Sequence, residues 1–275
     1  MSRRLVLSAP LAVAAASAAG CGFSGPGDSG DGGTGGGGRL TTTLREARRP
    51  ANHLNPVFKG GGSPQSTILI AMMWEGLVRR DPNDASNYLP GVAESWEASD
   101  DGLTHTFVLR DTTWSNGDPV TADDVVWTFS YYFSPELAEQ GNENPPRHDG
   151  VQSEIAGMAD YYSGKSDDFG DVGVSAPDPH TVVFTLTAPS PFFLDSLVDI
   201  VLLHRASVEA DVKDFWMPEH YVGNGPYVLT SYSQNANATF ELNESYWNAE
   251  AFSVTTREVQ FNASGATGMM VSYNA

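Results

Sequence analysis

By type and spacing, the residues most able to do chemistry are the adjacent acids Asp123 and Asp124, between Thr121-Ala122 and an apolar run starting at Val125. Two carboxylates can share acid and base work only when they face each other across a substrate. Neighbours at a helix start point in different directions, and here Thr121 with Asp124 three residues on reads as a capping box. Both acids also suit the positive end of a helix. No serine sits in a nucleophile elbow, and no glycine-rich loop carries a phosphate-binding lysine. The six histidines, His53, His105, His148, His180, His204 and His220, show no short metal-ligand spacing. The one cysteine, Cys21, leaves no intrachain disulfide and no multi-cysteine zinc site. The expectation is a protein with no catalytic residues, no metal and no cofactor.

The elements that would position any site are mixed. Ser66 to Val78 has helical length, ending near Arg79-Arg80 and the turn Asp81-Pro82-Asn83-Asp84. Thr104 to Arg110 and Thr181 to Leu186 read as strands, Pro189 to Val198 as helix, and Tyr227 to Tyr232 with Ala238 to Leu242 as paired strands. Ser99 to Gly102 and Trp114 to Asp118 read as turns. Trp74, Trp96, Trp114 and Trp127 have large apolar areas and are expected in the core. Without regular strand–helix alternation, the class is α+β.

Composition narrows the partners. The 275 residues are 40% hydrophobic and 11% aromatic, which suits a globular core. Formal charge is −19, or −21 once Arg3 and Arg4 are removed with the first twenty residues. That excess opposes a phosphate backbone, so no nucleic-acid partner is expected.

Residues 1–20 read as a signal peptide: Arg3 and Arg4, the apolar stretch Leu5 to Ala16, then Ser17-Ala18-Ala19-Gly20. Ser2-Arg3-Arg4-Leu5-Val6-Leu7 partly resembles a twin-arginine signal, so the spacing leaves Sec and twin-arginine export both open. Cys21 directly after small residues resembles the lipobox of bacterial lipoproteins, although Ala18 stands where leucine is usual. The resemblance implies an acylated Cys21, an anchor in the cell membrane and a place on its extracytoplasmic face. Residues 22–38 are glycine-rich and read as a flexible tether, leaving 39–275 as the folded part.

Seven blocks, in order, carry a resemblance to a known family. They are Leu54-Asn55-Pro56; Trp74-Glu75-Gly76-Leu77-Val78; Leu89 to Trp96; Phe107 to Arg110; Trp114 to Val125; Asn224-Gly225-Pro226-Tyr227; and Asn243 to Trp247. Together they resemble the bacterial extracellular solute-binding proteins of family 5, which serve oligopeptide, dipeptide and nickel importers. Tyr162 to Lys165, Val172 to Asp178 and Pro191 to Leu194 are similar to the oligopeptide branch.

The resemblance implies a periplasmic-binding-protein-like fold (class II, cluster C) of two lobes, with a peptide ligand and the membrane permease of an ABC-type importer as partners. Within it, Asn224, Gly225 and Tyr227 are candidate ligand-binding residues, and the glycines Gly60, Gly61 and Gly62 let a ligand approach the backbone closely. Oligopeptide binders often present an acid near the last stretch; Lys59 to Ser63 offers none. The likeness stops near Gln260-Phe261, so the sequence is expected to be the first lobe with its second lobe missing. The alternatives are a transport-inactive truncated lobe or sensor remnant and, with less support, a secreted hydrolase.

Overall fold

The computed structural model describes residues 42–49, 51, 54–57, 64–84, 86–139 and 149–261. Strands run β1 (Thr43–Arg48), β2 (Val78–Arg80), β3 (Tyr88–Pro90), β4 (Ala93–Ala98), β5 (Thr104–Leu109), β6 (Val174–Asp178), β7 (Thr181–Thr185), β8 (Tyr227–Ser233), β9 (Asn237–Leu242) and β10 (Thr256–Phe261). Helices run α1 (Pro64–Met73), α2 (Ala122–Tyr132), α3 (Pro135–Glu139), α4 (Asp149–Glu154), α5 (Met158–Tyr162), α6 (Phe193–Leu197) and α7 (Arg205–Ala210). None of the described helices is long and apolar enough to cross a membrane.

Alternation builds two four-stranded sheets. In β5, His105, Phe107 and Leu109 turn inward while their neighbours face out; Val182 and Phe184 do the same in β7. These strands lie in the order β4-β5-β7-β6, all antiparallel. Phe184 packs edge-on against Phe107 at 5.5 Å and Phe193 of α6 at 5.4 Å, and meets Phe129 of α2 at 5.1 Å. Aromatic pairs in this geometry add roughly 0.5–1.5 kcal/mol each beyond area burial.

The other sheet has the order β1-β10-β9-β8. Its last three strands are antiparallel, whereas β1 pairs with β10 in parallel, Thr43 opposite Thr256 and Arg48 opposite Phe261. Ala238, Phe240 and Leu242 of β9 and Tyr227 and Leu229 of β8 are buried on one face.

The sequence reading is followed closely in places. The Ser99–Gly102 turn closes through the Gly102 N–H to the Ser99 carbonyl at 2.8 Å. The Asp124 carboxylate accepts from the Thr121 main-chain N–H at 2.8 Å and from its hydroxyl at 3.0 Å, fixing the start of α2. Trp74 and Trp114 are buried, while Trp96 and Trp127 pack partly exposed against the core.

Two helices differ from expectation. The segment expected to be helical from Ser66 to Val78 ends at Met73 and re-emerges as β2. The reason is tertiary: Gly76 lies so close to Ile200 that an added Cβ would sit 2.2 Å from its carbonyl oxygen. Likewise α6 covers only Phe193–Leu197 of the expected Pro189 to Val198, because proline lacks the donor and fixes φ at 189 and 191.

Candidate functional site

Met73 ends α1, and it and the next two residues are gripped by a loop nearly 150 positions away in sequence. The Gly225 N–H donates to the Met73 carbonyl at 2.9 Å, and the Tyr221 hydroxyl donates to the same oxygen. The Trp74 indole N–H donates to the Val222 carbonyl at 3.2 Å, with Tyr221 edge-on to the ring at 5.1 Å. Asn224, 2% exposed, spends its whole amide on one residue's main chain. Its Oδ1 accepts from the Glu75 N–H at 2.9 Å, and its Nδ2 donates to the Glu75 carbonyl at 3.1 Å.

The candidate residues are therefore placed as follows. Asn224 and Gly225 stand together in this clasp. Tyr227 opens β8 beside them, 3% exposed, with its hydroxyl donating to the Val254 carbonyl at 3.0 Å. The side chains of Asn224 and Tyr227 and the main chain of Gly225 are engaged inside the protein. What they can offer a ligand is the fixed position of the loop. Gly60, Gly61, Gly62 and Cys21 lie outside the described residues.

Sequence reasoning missed the acid at the centre. Glu75 is 5% exposed, and its Oε1 accepts from the Tyr246 hydroxyl at 2.8 Å. Its Oε2 accepts from the Trp247 indole N–H at 2.8 Å, and Arg79 lies 3.2 Å from Oε1. The Arg110 guanidinium sits over the Trp247 ring at 3.6 Å from the centroid. Burial pushes the Glu75 carboxyl up from its ordinary value; the Trp247 and Tyr246 bonds and then Arg79 and Arg110 oppose the rise. The available signal was a lone acid inside the apolar run Trp74-Glu75-Gly76-Leu77-Val78.

Trp247 also walls a groove of ≈ 540 Å³, with Ser245, Asp111, His180, Pro119 and Pro179 around it. Two of the histidines do structural work. His204 accepts from the Ser207 N–H through Nδ1 at 3.3 Å, capping α7, while His105 is buried against Phe193 at 4.8 Å. Asp124 is held by Thr121 and Asp123 faces solvent, so the two acids do not converge. Among the described residues no three of His, Cys, Asp or Glu are grouped to hold a metal ion.

Comparison with known proteins supplies the family. The model of bacterial extracellular solute-binding proteins, family 5 Middle, matches residues 87–271. The chain belongs to this family. It is 35% identical over 193 residues to the periplasmic oligopeptide-binding protein OppA of Haemophilus influenzae, covering 69% of this chain and 34% of that one. To OppA of Escherichia coli it is 34% identical over 211 residues, 75% of this chain and 37% of the relative.

This family-5 chain also matches solved structures. A periplasmic oligopeptide-binding protein of Borrelia burgdorferi, OppAIV, superposes with a TM-score of 0.74 at 26% identity, over 86% of this chain and 46% of that one. OppA of Haemophilus influenzae in complex with RPPGFSPFR gives 0.71 at 27%, over 81% and 42%. The mixed α and β sheets thus follow these structures over part of their length. The family-5 chain spans about a third of the length of these curated relatives.

Proposed function

We propose that this family-5 chain is the peptide-capturing component of an ABC-type importer, held outside the cytoplasm by lipid on Cys21, and that it passes its ligand to a membrane permease without altering it. The observation that carries the reading is the superposition on a relative solved with the peptide RPPGFSPFR, together with curated relatives named for oligopeptide binding. The geometry supports it. The loop at 221–227 is rigidly clasped, and β1 is an edge strand of its sheet among the described residues. Extended peptides are recognised largely through main-chain bonds, with pockets for side chains. Rigid loops and strand edges provide that kind of surface. The glycines at 60–62, just before α1 in sequence, are proposed to let the ligand's backbone come close.

The anchoring part has its own test. Each buried methylene contributes about 0.8 kcal/mol, so durable anchoring needs more than one acyl chain, which a bacterial lipoprotein cysteine carries. Cys21→Ser is expected to move the protein from the membrane fraction to the soluble fraction. An unchanged distribution contradicts acylation at that site. Native mass spectrometry of the exported protein is expected to show peptide adducts; sugar or metal adducts in their place contradict the peptide assignment.

A further inference from the structure

We propose that Glu75 is a positioning residue whose charge state is passed to Trp247, so that the wall of the groove beside Asp111 and His180 responds to protons. Three segments meet on this one residue: the end of α1, the loop at 221–227 and the residues after β9. The main chain of Glu75 is fixed on both sides by Asn224, and its carbonyl also accepts from the Leu202 N–H at 3.1 Å. The carboxylate is consequently held in place with little freedom to turn away. It is acceptor-only when ionised and takes two donors, the Tyr246 hydroxyl and the Trp247 indole N–H.

The consequence for the groove follows from which part of the indole is used. Glu75 occupies the N–H edge and Arg110 covers the ring at 3.6 Å, so Trp247 has no free polar edge to offer there. Protonation changes that balance. One carboxyl oxygen becomes a donor, Arg79 and Arg110 lose their shared counter-charge, and the indole's hydrogen bond weakens.

The groups facing Glu75 are accounted for on each element packed against it. They are Arg79 on β2, Arg110 after β5, Tyr246 and Trp247 after β9, and neutral Asn224 in the loop. Glu94 on β4 also acts electrostatically on Arg110. Burial raises the Glu75 carboxyl above its ordinary value, so the response lies at higher pH than for a solvated glutamate. The sign for stability is then fixed. A carboxyl raised in the folded state contributes stability that is full below its unfolded value and lost as pH rises through the folded one.

The proposal does not depend on which solute is bound, so its test needs no ligand. The Trp247 indole N–H resonance, assigned with Trp247→Phe, is followed from about pH 4 to about pH 8. A step above the ordinary carboxylate range is expected in the wild type, and its disappearance in Glu75→Gln. A flat profile in the wild type, or a step that survives in Glu75→Gln, overturns the proposal. Should Glu75→Gln not fold, Tyr246→Phe supplies the second reading. Removing a donor to the ionised form must move the step to higher pH, and an unmoved step is equally fatal.

Discussion

Replacing Gly225 with alanine is expected to lower the melting temperature by on the order of 10 °C, among the largest single-methyl effects expected in the protein. An added Cβ would stand 2.5 Å from the Met73 carbonyl carbon and 2.7 Å from the Met72 and Met73 oxygens. All three atoms are main chain, and Met73 is also the acceptor for Tyr221, so the clash has no flexible end to absorb it. Overpacking of a tight interior costs about 1–3 kcal/mol. The bond from the Gly225 N–H to the Met73 carbonyl would be lost with it, adding about 1 kcal/mol. Thermal unfolding of the variant beside the wild type checks this. A shift of less than about 2 °C would mean the 221–227 loop is not seated on α1 as described.

The second large effect is expected at Asn224, where the chemistry separates two variants. Asn224→Asp keeps the acceptor for the Glu75 N–H but sets a second oxygen against the Glu75 carbonyl, where Nδ2 now donates at 3.1 Å. At 2% exposure an ionised aspartate there is a buried charge set against a carbonyl oxygen. The loss is expected to be about 3–5 kcal/mol at neutral pH. Once protonated, the introduced carboxyl could donate to that carbonyl, so its folded pKa is raised and the variant's stability returns as pH falls. Asn224→Ala lacks that recovery. It leaves the Glu75 N–H unpaired at about 1–3 kcal/mol, by an amount independent of titration at position 224. Denaturant melts of both variants at acidic and neutral pH distinguish them. Parallel behaviour would show that the amide is not bonded to the Glu75 main chain.

These two positions also show what was legible in the sequence. The β8–β9 hairpin was, because Tyr227, Leu229, Ala238, Phe240 and Leu242 repeat every second residue over neighbouring stretches. The cap of α2 was legible for a similar reason, since Thr121 and Asp124 are local partners. The parallel pairing of β1 with β10 was not, because it joins residues 213 apart and β1 alone carries no sign of its partner. The end of α1 was overestimated because Trp74, Leu77 and Val78 continue the apolar pattern past Met73, and what stops it is contact with Ile200 and the 221–227 loop.

The candidate site divides along the same line. Asn224, Gly225 and Tyr227 were singled out as a block, and the structure gathers them at one junction. Their individual tasks became visible only with Met73, Glu75 and Val254 in place. Glu75 itself was passed over, since the donors that satisfy it lie 171 and 172 residues away. Glycine at 225 carries no side-chain signal at all; only the distance to Met73 explains it.

The central claim is that a family-5 fold here holds peptides reversibly and does no chemistry on them. Isothermal titration calorimetry tests it most directly, with a mixed pentapeptide pool and with free amino acids as competitors. The titrations use the chain from Cys21 onward and a form extended by downstream codons. Saturable heat with peptides in at least one form, none with amino acids, and intact peptides recovered afterwards are expected. Absence of peptide binding in both forms, or recovery of cleaved peptides, would contradict the account.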